Sequence, residues 1–173
     1  METIGQYLSF ASPNNKTRIQ VDYSVIAQLK KHFYVVSLDL TGPSLIEDRI
    51  TKIDAVEYKN GTCVRKLMID IEDEQEAINR LVYFLGDALS TKTPISISNV
   101  HFQLDLLCEA FKRYHISYNI RYFDMLSYSR KYLKEIDSFK EKYIRVKEAY
   151  IVSDGIYSKA QLTGNLIMDL INE

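Results

Sequence analysis

The chain lacks tryptophan altogether, and its 173 residues hold only two cysteines, three prolines and six glycines. Two cysteines cannot build a disulfide scaffold. Cys63 and Cys108 sit in separate apolar segments without metal-ligand spacing, and read as thiols in a reducing compartment. No apolar run approaches the roughly 18 residues a membrane helix needs. The start, METIGQYLSFASPNNK, has neither the charged lead nor the apolar core of a signal peptide. The expected location is therefore cytoplasmic, with no membrane partner. A net charge of −1 removes any global pull toward nucleic acid, so only a local basic patch could supply one. There is no internal repeat and no low-complexity segment.

What remains is ordinary globular material: 46% hydrophobic and 26% charged, long enough for one domain that buries about 70% of its unfolded surface. Its organising stretch is Tyr34-Val35-Val36-Ser37-Leu38-Asp39-Leu40-Thr41-Gly42, an apolar β-branched run with a polar end that stops at glycine. Such a run reads as a buried central strand delivering side chains to its C-terminal edge. Ser37 and Asp39, two apart, share one face, and Leu38 and Leu40 share the other.

Around it the periodicity sets out the remaining elements. Thr17 to Val21 alternates like a short strand, and Val25, Ile26 and Leu29 give an apolar face to a short helix. Strands are expected over Phe33–Leu40, Ile50–Lys59 and Cys63–Ile69, with Asn60-Gly61 joining the last two as a tight antiparallel hairpin. The period then changes. Ile78, Leu81, Val82 and Leu85 fall at helical spacing between Asp73 and Asp87, with Gly86 as the exit. A short strand at Pro94–Ser98 precedes a helix whose inner face is Phe102, Leu106, Leu107, Ala110 and Phe111, then another strand at Ser117–Phe123. Helical patterns follow over Met125–Leu133, Ser138–Ala149 and Tyr157–Ile171. Three strands followed by helix–strand–helix–strand–helix define a mixed α/β domain. We divide the chain into an N-terminal extension, 1–32, and a single domain, 33–173.

Several local strings, in this order, resemble the DnaQ-like (DEDDh) 3′–5′ exonucleases, the family of the DNA polymerase III epsilon subunit. Ser37-Leu38-Asp39-Leu40-Thr41-Gly42 lies where the family reads Asp-x-Glu-Thr-Thr-Gly. Arg49-Ile50 and Ile53-Asp54-Ala55-Val56 resemble its second strand, and Ser98-Asn99-Val100-His101-Phe102-Gln103 its His-Asn-Ala-x-Phe-Asp. Phe123-Asp124-Met125-Leu126, with Arg130 after it, resembles the Asp-Thr-Leu that opens a later helix, and Asp154-Gly155-Ile156-Tyr157-Ser158-Lys159-Ala160 lies where the family places His and, five residues on, Asp then Ala. The resemblance covers about residues 33 to 172. It implies an RNase H-like mixed five-stranded sheet flanked by helices, with a short N-terminal extension.

The family reaction hydrolyses phosphodiesters from a 3′ end. Paired carboxylates hold two hard divalent ions about 4 Å apart, and a histidine serves as general base. At the matched positions this chain carries Ser37 for the first aspartate, Asp39 for glutamate, Gln103 for the second aspartate, Asp154 for histidine and Lys159 for the last aspartate. Of the four acidic ligand positions only that of Asp39 keeps a carboxylate. The resemblance thus implies no intact catalytic set, and no metal beyond what Asp39 alone could hold. An ammonium at position 159 can occupy the ion's place beside Asp39, with Asp154 sharing it, an attraction of up to about 4 kcal/mol before desolvation is subtracted. The passage from Met68 to Asp73 also runs straight into a helix, where family members carry a longer wall of the nucleotide cleft.

Other polar features admit plainer explanations. Asp70, Asp105 and Asp124 could rebuild a metal site, but Asp105 turns to another helix face than Gln103 and Asp124 suits a helix cap. Arg130, Lys131, Lys134, Lys140, Lys142, Arg145 and Lys147 stand against only Glu135, Asp137 and Glu141, with Tyr132 and Tyr143 interleaved. That pattern suits a phosphate backbone and stacked bases, or the solvated faces of two helices. His101 reads as an ordinary side chain, and His32 and His115 receive no role.

The leading expectation is a pseudo-exonuclease without cofactor that binds nucleic acid or a replication or repair protein. The alternatives are an active 3′–5′ exonuclease using Mg2+ or Mn2+ with displaced ligands, and a scaffold that contacts protein alone. The oligomeric state is not legible.

Overall fold

A computed structural model of the chain describes residues 8–11, 18–20, 25–41, 49–90, 93–97, 100–123 and 158–171. Asn60 and Gly61 hold φ of 52° and 80°, the left-handed pair that matches the twist of flanking strands, and they join β4 (Ile50–Lys59) to β5 (Thr62–Asp70). β3 (His32–Leu40) runs antiparallel to β4, from His32 opposite Lys59 to Leu40 opposite Ile50. On its other side β3 meets β6 (Ile95–Ile97) in parallel, and β6 pairs in parallel with β7 (Ile120–Phe123).

Two strands from the lead-in extend this sheet. β1 (Leu8–Ala11) pairs antiparallel with β7, and β2 (Arg18–Gln20) with β1. Among the described residues the order is β2-β1-β7-β6-β3-β4-β5, seven strands where five were expected. The alternation Leu8-Ser9-Phe10 is a strand signal, but four residues are too few for periodicity to declare one.

Helices cover both faces. Tyr34, Val36 and Leu38 of β3 point into a core with Ile78, Leu81 and Leu85 of α2 (Glu74–Leu85) and Leu104, Leu107 and Phe111 of α3 (Val100–Arg113). Each such fully buried side chain contributes about 1.5–3 kcal/mol. α2 begins where Asp73 accepts the Glu76 N–H at 3.2 Å, so only residues 71–73 separate strand from helix. The opposite face of β3 and β4 receives the last helix, α4 (Lys159–Ile171). Tyr58 of β4, stacked on Phe33 at 4.8 Å, donates its hydroxyl to Asn165 Oδ1 at 2.6 Å, with the Gln161 carbonyl at 3.0 Å. Gly164 permits that approach, because a Cβ there would overlap the Tyr58 ring.

α1 (Val25–Lys31) precedes β3 and buries Leu29. Among the described residues, no helix is long and apolar enough to cross a membrane. Cys63 and Cys108 are free thiols, both half-buried. The helical patterns expected over 125–149, with Asp124 and the basic run Arg130, Lys131, Lys134, Lys140, Lys142, Arg145 and Lys147, lie outside the described residues, as does Asp154.

Candidate functional site

The C-terminal end of β3 is built by the pairing of β3 with β4. Ser37 is 2% exposed and lies directly opposite Asp54, so the two side chains share the face that α4 covers. Asp54 is a buried carboxylate, and a helix N-terminus supplies its donors. Ser158 Oγ donates to Asp54 Oδ1 at 2.8 Å, with Oδ2 at 3.0 Å, and the Ala160 N–H donates to Oδ2 at 3.1 Å. The Ser158 hydroxyl oxygen in turn accepts the Gln161 N–H at 3.0 Å. Ser158-Lys159-Ala160-Gln161 thus follows the S-x-x-Q spacing of a helix start, with its cap tied to the sheet. Burial pushes the Asp54 carboxyl above its ordinary range, opposed by the Ala160 N–H, the Ser158 hydroxyl and the Lys159 N–H.

Gln103 reaches the same strand end from α3. It is 4% exposed; its Nε2 donates to the Leu38 carbonyl at 3.1 Å, and its Oε1 accepts the Leu38 N–H at 3.2 Å. The Tyr34 N–H donates to the Pro94 carbonyl, so strand alternation turns the backbone groups of Tyr34, Val36 and Leu38 toward β6. The described pairing of β6 with β3 runs as far as Ile97, opposite Val36. The Gln103 amide supplies the rung at Leu38, and both its polar ends are engaged by main chain.

Asp39 is half-buried and lies opposite Lys52 of β4, a cation that the linear sequence does not associate with it. Lys159 is the first residue of α4 and half-buried, and its backbone, next to Ala160, adjoins Asp54. The topology thus brings Ser37, Asp39, Gln103 and Lys159 to one end of β3. Asp105 and Asp70 are exposed. Among the described residues, no three His, Cys, Asp or Glu side chains converge as a set that could hold a metal. Asp54 was missing from the sequence-predicted set. Its signal is its place two residues after Lys52 on β4, which becomes meaningful only once Ser37 is known to face it.

A second polar cluster lies at the other end of β3, on the α2 face. Glu57 of β4 is 3% exposed, and its carboxylate accepts from Arg65 Nε at 2.5 Å and from the Tyr34 hydroxyl at 2.8 Å. His32 Nε2 lies 2.6 Å from its Oε2, which corrects the expectation that His32 has no role. Arg65 also donates to the Phe84 carbonyl at 2.9 Å and lies over the Phe84 ring. Burial pushes Glu57 up, but the hydrogen bonds from Arg65, Tyr34 and His32 outweigh it and hold the carboxyl at about 2. Burial and the neighbouring Glu57 carboxylate push Tyr34 up to about 12. Beside this cluster an open groove runs between β5 and α2, lined in part by Arg65, Leu67, Arg80, Tyr83 and Phe84.

Neither protein-family models nor the curated proteins yield a match to this chain. Its reading therefore rests on its own residues. Chemically, the β3 end offers one buried carboxylate saturated by neutral donors and one half-buried carboxylate with a lysine opposite. The Glu57 cluster offers a carboxylate neutralised by a guanidinium. Both arrangements hold elements together.

Proposed function

We propose that the chain is a catalytically degenerate relative of the DnaQ-like 3′–5′ exonucleases on an RNase H-like fold, which binds nucleic acid or a replication or repair protein without cleaving it. The observation that carries this reading is the engagement of Gln103, at the position matched to a metal-binding aspartate, with the backbone of Leu38. A neutral amide fully occupied by main chain is a fold element rather than an ion ligand. The strand order β5-β4-β3-β6-β7 with β4 reversed, and the arrival of α4 at the end of β3, support the family assignment.

On this reading Ser37 gives no charge to an ion. The ammonium of Lys159, at the head of α4, balances Asp39 together with Lys52 across the ladder. The basic run from Arg130 to Lys147 supplies the contacts to a polynucleotide.

The test is a nuclease assay on single-stranded DNA and RNA with magnesium and manganese, alongside oligonucleotide retention at rising salt. The expected outcome is no cleavage, with retention that falls steeply as salt rises. Cleavage abolished by Asp39→Asn would overturn the pseudo-enzyme reading. Absence of both cleavage and retention would leave a protein partner as the occupant.

A further inference from the structure

β5 closes one side of the sheet, and its own open side bears on how the molecule associates, whatever its biochemical role. Among the described residues, its nine residues pair with β4 alone. The Ile71 N–H donates to the Thr51 carbonyl at 3.0 Å. Hydrogen-bonded pairs alternate along an antiparallel ladder, so Ile69 and Leu67 also turn their backbone groups to β4. Lys66, Met68 and Asp70 turn theirs outward. The register slips between Glu57 and Tyr58, where Arg65 and Cys63 are the successive partners. Beyond that irregularity the strand from Arg65 onward is regular.

Edges of soluble proteins are commonly blunted by proline, bulges, inward charges or brevity. This edge has a bulge at one end, where Arg65 also turns a charge inward to Glu57; from Lys66 to Asp70 the strand carries neither proline nor bulge. Its middle is Leu67-Met68-Ile69, with Met68 41% exposed.

We propose that β5 pairs antiparallel with β5 of a second copy, about a two-fold axis at Met68, so that one sheet continues through both molecules. Side-chain complementarity selects this partner and this register. With Met68 at the axis, Lys66 faces the partner's Asp70, Asp70 faces the partner's Lys66, and Met68 faces the partner's Met68. All three side chains are exposed, on the face that α2 leaves open. On the α2 face Leu67 meets the partner's Ile69, twice by symmetry. An axis at Lys66 would oppose two ammonium groups. One at Leu67 would set Lys66 against methionine and Asp70 against valine. One at Ile69 would set Asp70 against methionine and move the lysine contact to Glu72, past the strand end. Only the Met68 axis places both opposite-charge pairs inside the strand, where directly opposed pairs are favourable. The groove between β5 and α2 leaves room for the incoming strand, and Tyr83, 87% exposed on α2, stands beside it.

Sedimentation equilibrium of the full chain over a concentration series tests this. The expected result is a reversible monomer–dimer equilibrium. Lys66→Asp and Asp70→Lys should each weaken self-association by about tenfold or more, because each turns two attractive pairs into two repulsive ones. Mixing the two variants should restore a heterodimer, in which aspartates of one chain face lysines of the other. Met68→Pro should abolish pairing while leaving the fold, since that N–H lies outside the β4 ladder; a thermal melt checks the second part. A wild type that stays monomeric throughout overturns the proposal, and so does a dimer indifferent to Met68→Pro. Two charge variants that fail to associate when mixed also overturn it.

Discussion

Asp54 and Glu57 stand three residues apart on β4, both nearly inaccessible, on opposite faces of the sheet. Burial raises the proton affinity of each, yet Asp54 ends above its ordinary range and Glu57 falls to about 2. The donors differ. Asp54 receives a hydroxyl and main-chain N–H groups at a helix start, all neutral. Glu57 receives a guanidinium, with Tyr34 and His32 beside it. Asp54 is also the more deeply packed of the two, so depth and partner charge act together: desolvation prevails where the direct donors are neutral, and a guanidinium reverses it where the carboxyl is nearer the surface.

The comparison can be broken by experiment. Glu57→Ala should have the largest effect, about 3 kcal/mol lost at neutral pH in urea unfolding, because it leaves the Arg65 Nε and the Tyr34 hydroxyl without their acceptor. The acid limb should change with it. A folded value depressed below the ordinary 4.5 gives stability that is present above 4.5 and lost as pH falls toward about 2. Glu57→Gln should flatten that loss, and an acid limb unchanged in this variant would refute the assignment.

A middle-sized effect is expected on the α4 face, where Gly164→Ala drives a methyl into the Tyr58 ring. It should cost about 2 kcal/mol by overpacking, read as a lowered melting temperature. If α4 tolerates it without loss, the tie through Asp54 rather than the fit against Tyr58 holds the helix.

The smallest effect belongs to Asp54→Asn, about 1 kcal/mol or less at neutral pH, since an amide keeps one acceptor and relieves a buried charge. Here the pH sign is opposite to that of Glu57. A carboxyl raised above its ordinary 3.8 contributes stability fully below that value and loses it as pH rises through the folded value. Asp54→Asn should remove this component. A larger loss for Asp54→Asn than for Glu57→Ala at pH 7 would reverse the comparison.

Much of the sheet is legible in the residue pattern alone. Asn60-Gly61 sets the β4–β5 pairing, and helical spacing marks α2, α3 and the final helix. The polar clusters are not legible in this way, because each depends on β3–β4 register, and the connection between those strands is too long to dictate one. No tight turn says that His32 faces Lys59; once it does, Glu57 falls opposite Tyr34 and Asp54 opposite Ser37. Gln103 stands out by its position and reads as a poor ion ligand. Its bonds to Leu38 depend on where α3 sets its first turns against β3, and that placement cannot be counted along the chain.

Gln103 also limits which way this molecule can change. An acidic side chain at 103 could accept the Leu38 N–H, but it has no proton for the Leu38 carbonyl and would set its charge against that oxygen. Gln103→Asp, one methylene shorter as well, gives up a rung of the sheet before it gains any ligand. A carboxylate at this position would first require another donor to reach the Leu38 carbonyl. The neutral amide is part of the strand pairing, and replacing it with a carboxylate begins with a loss of stability.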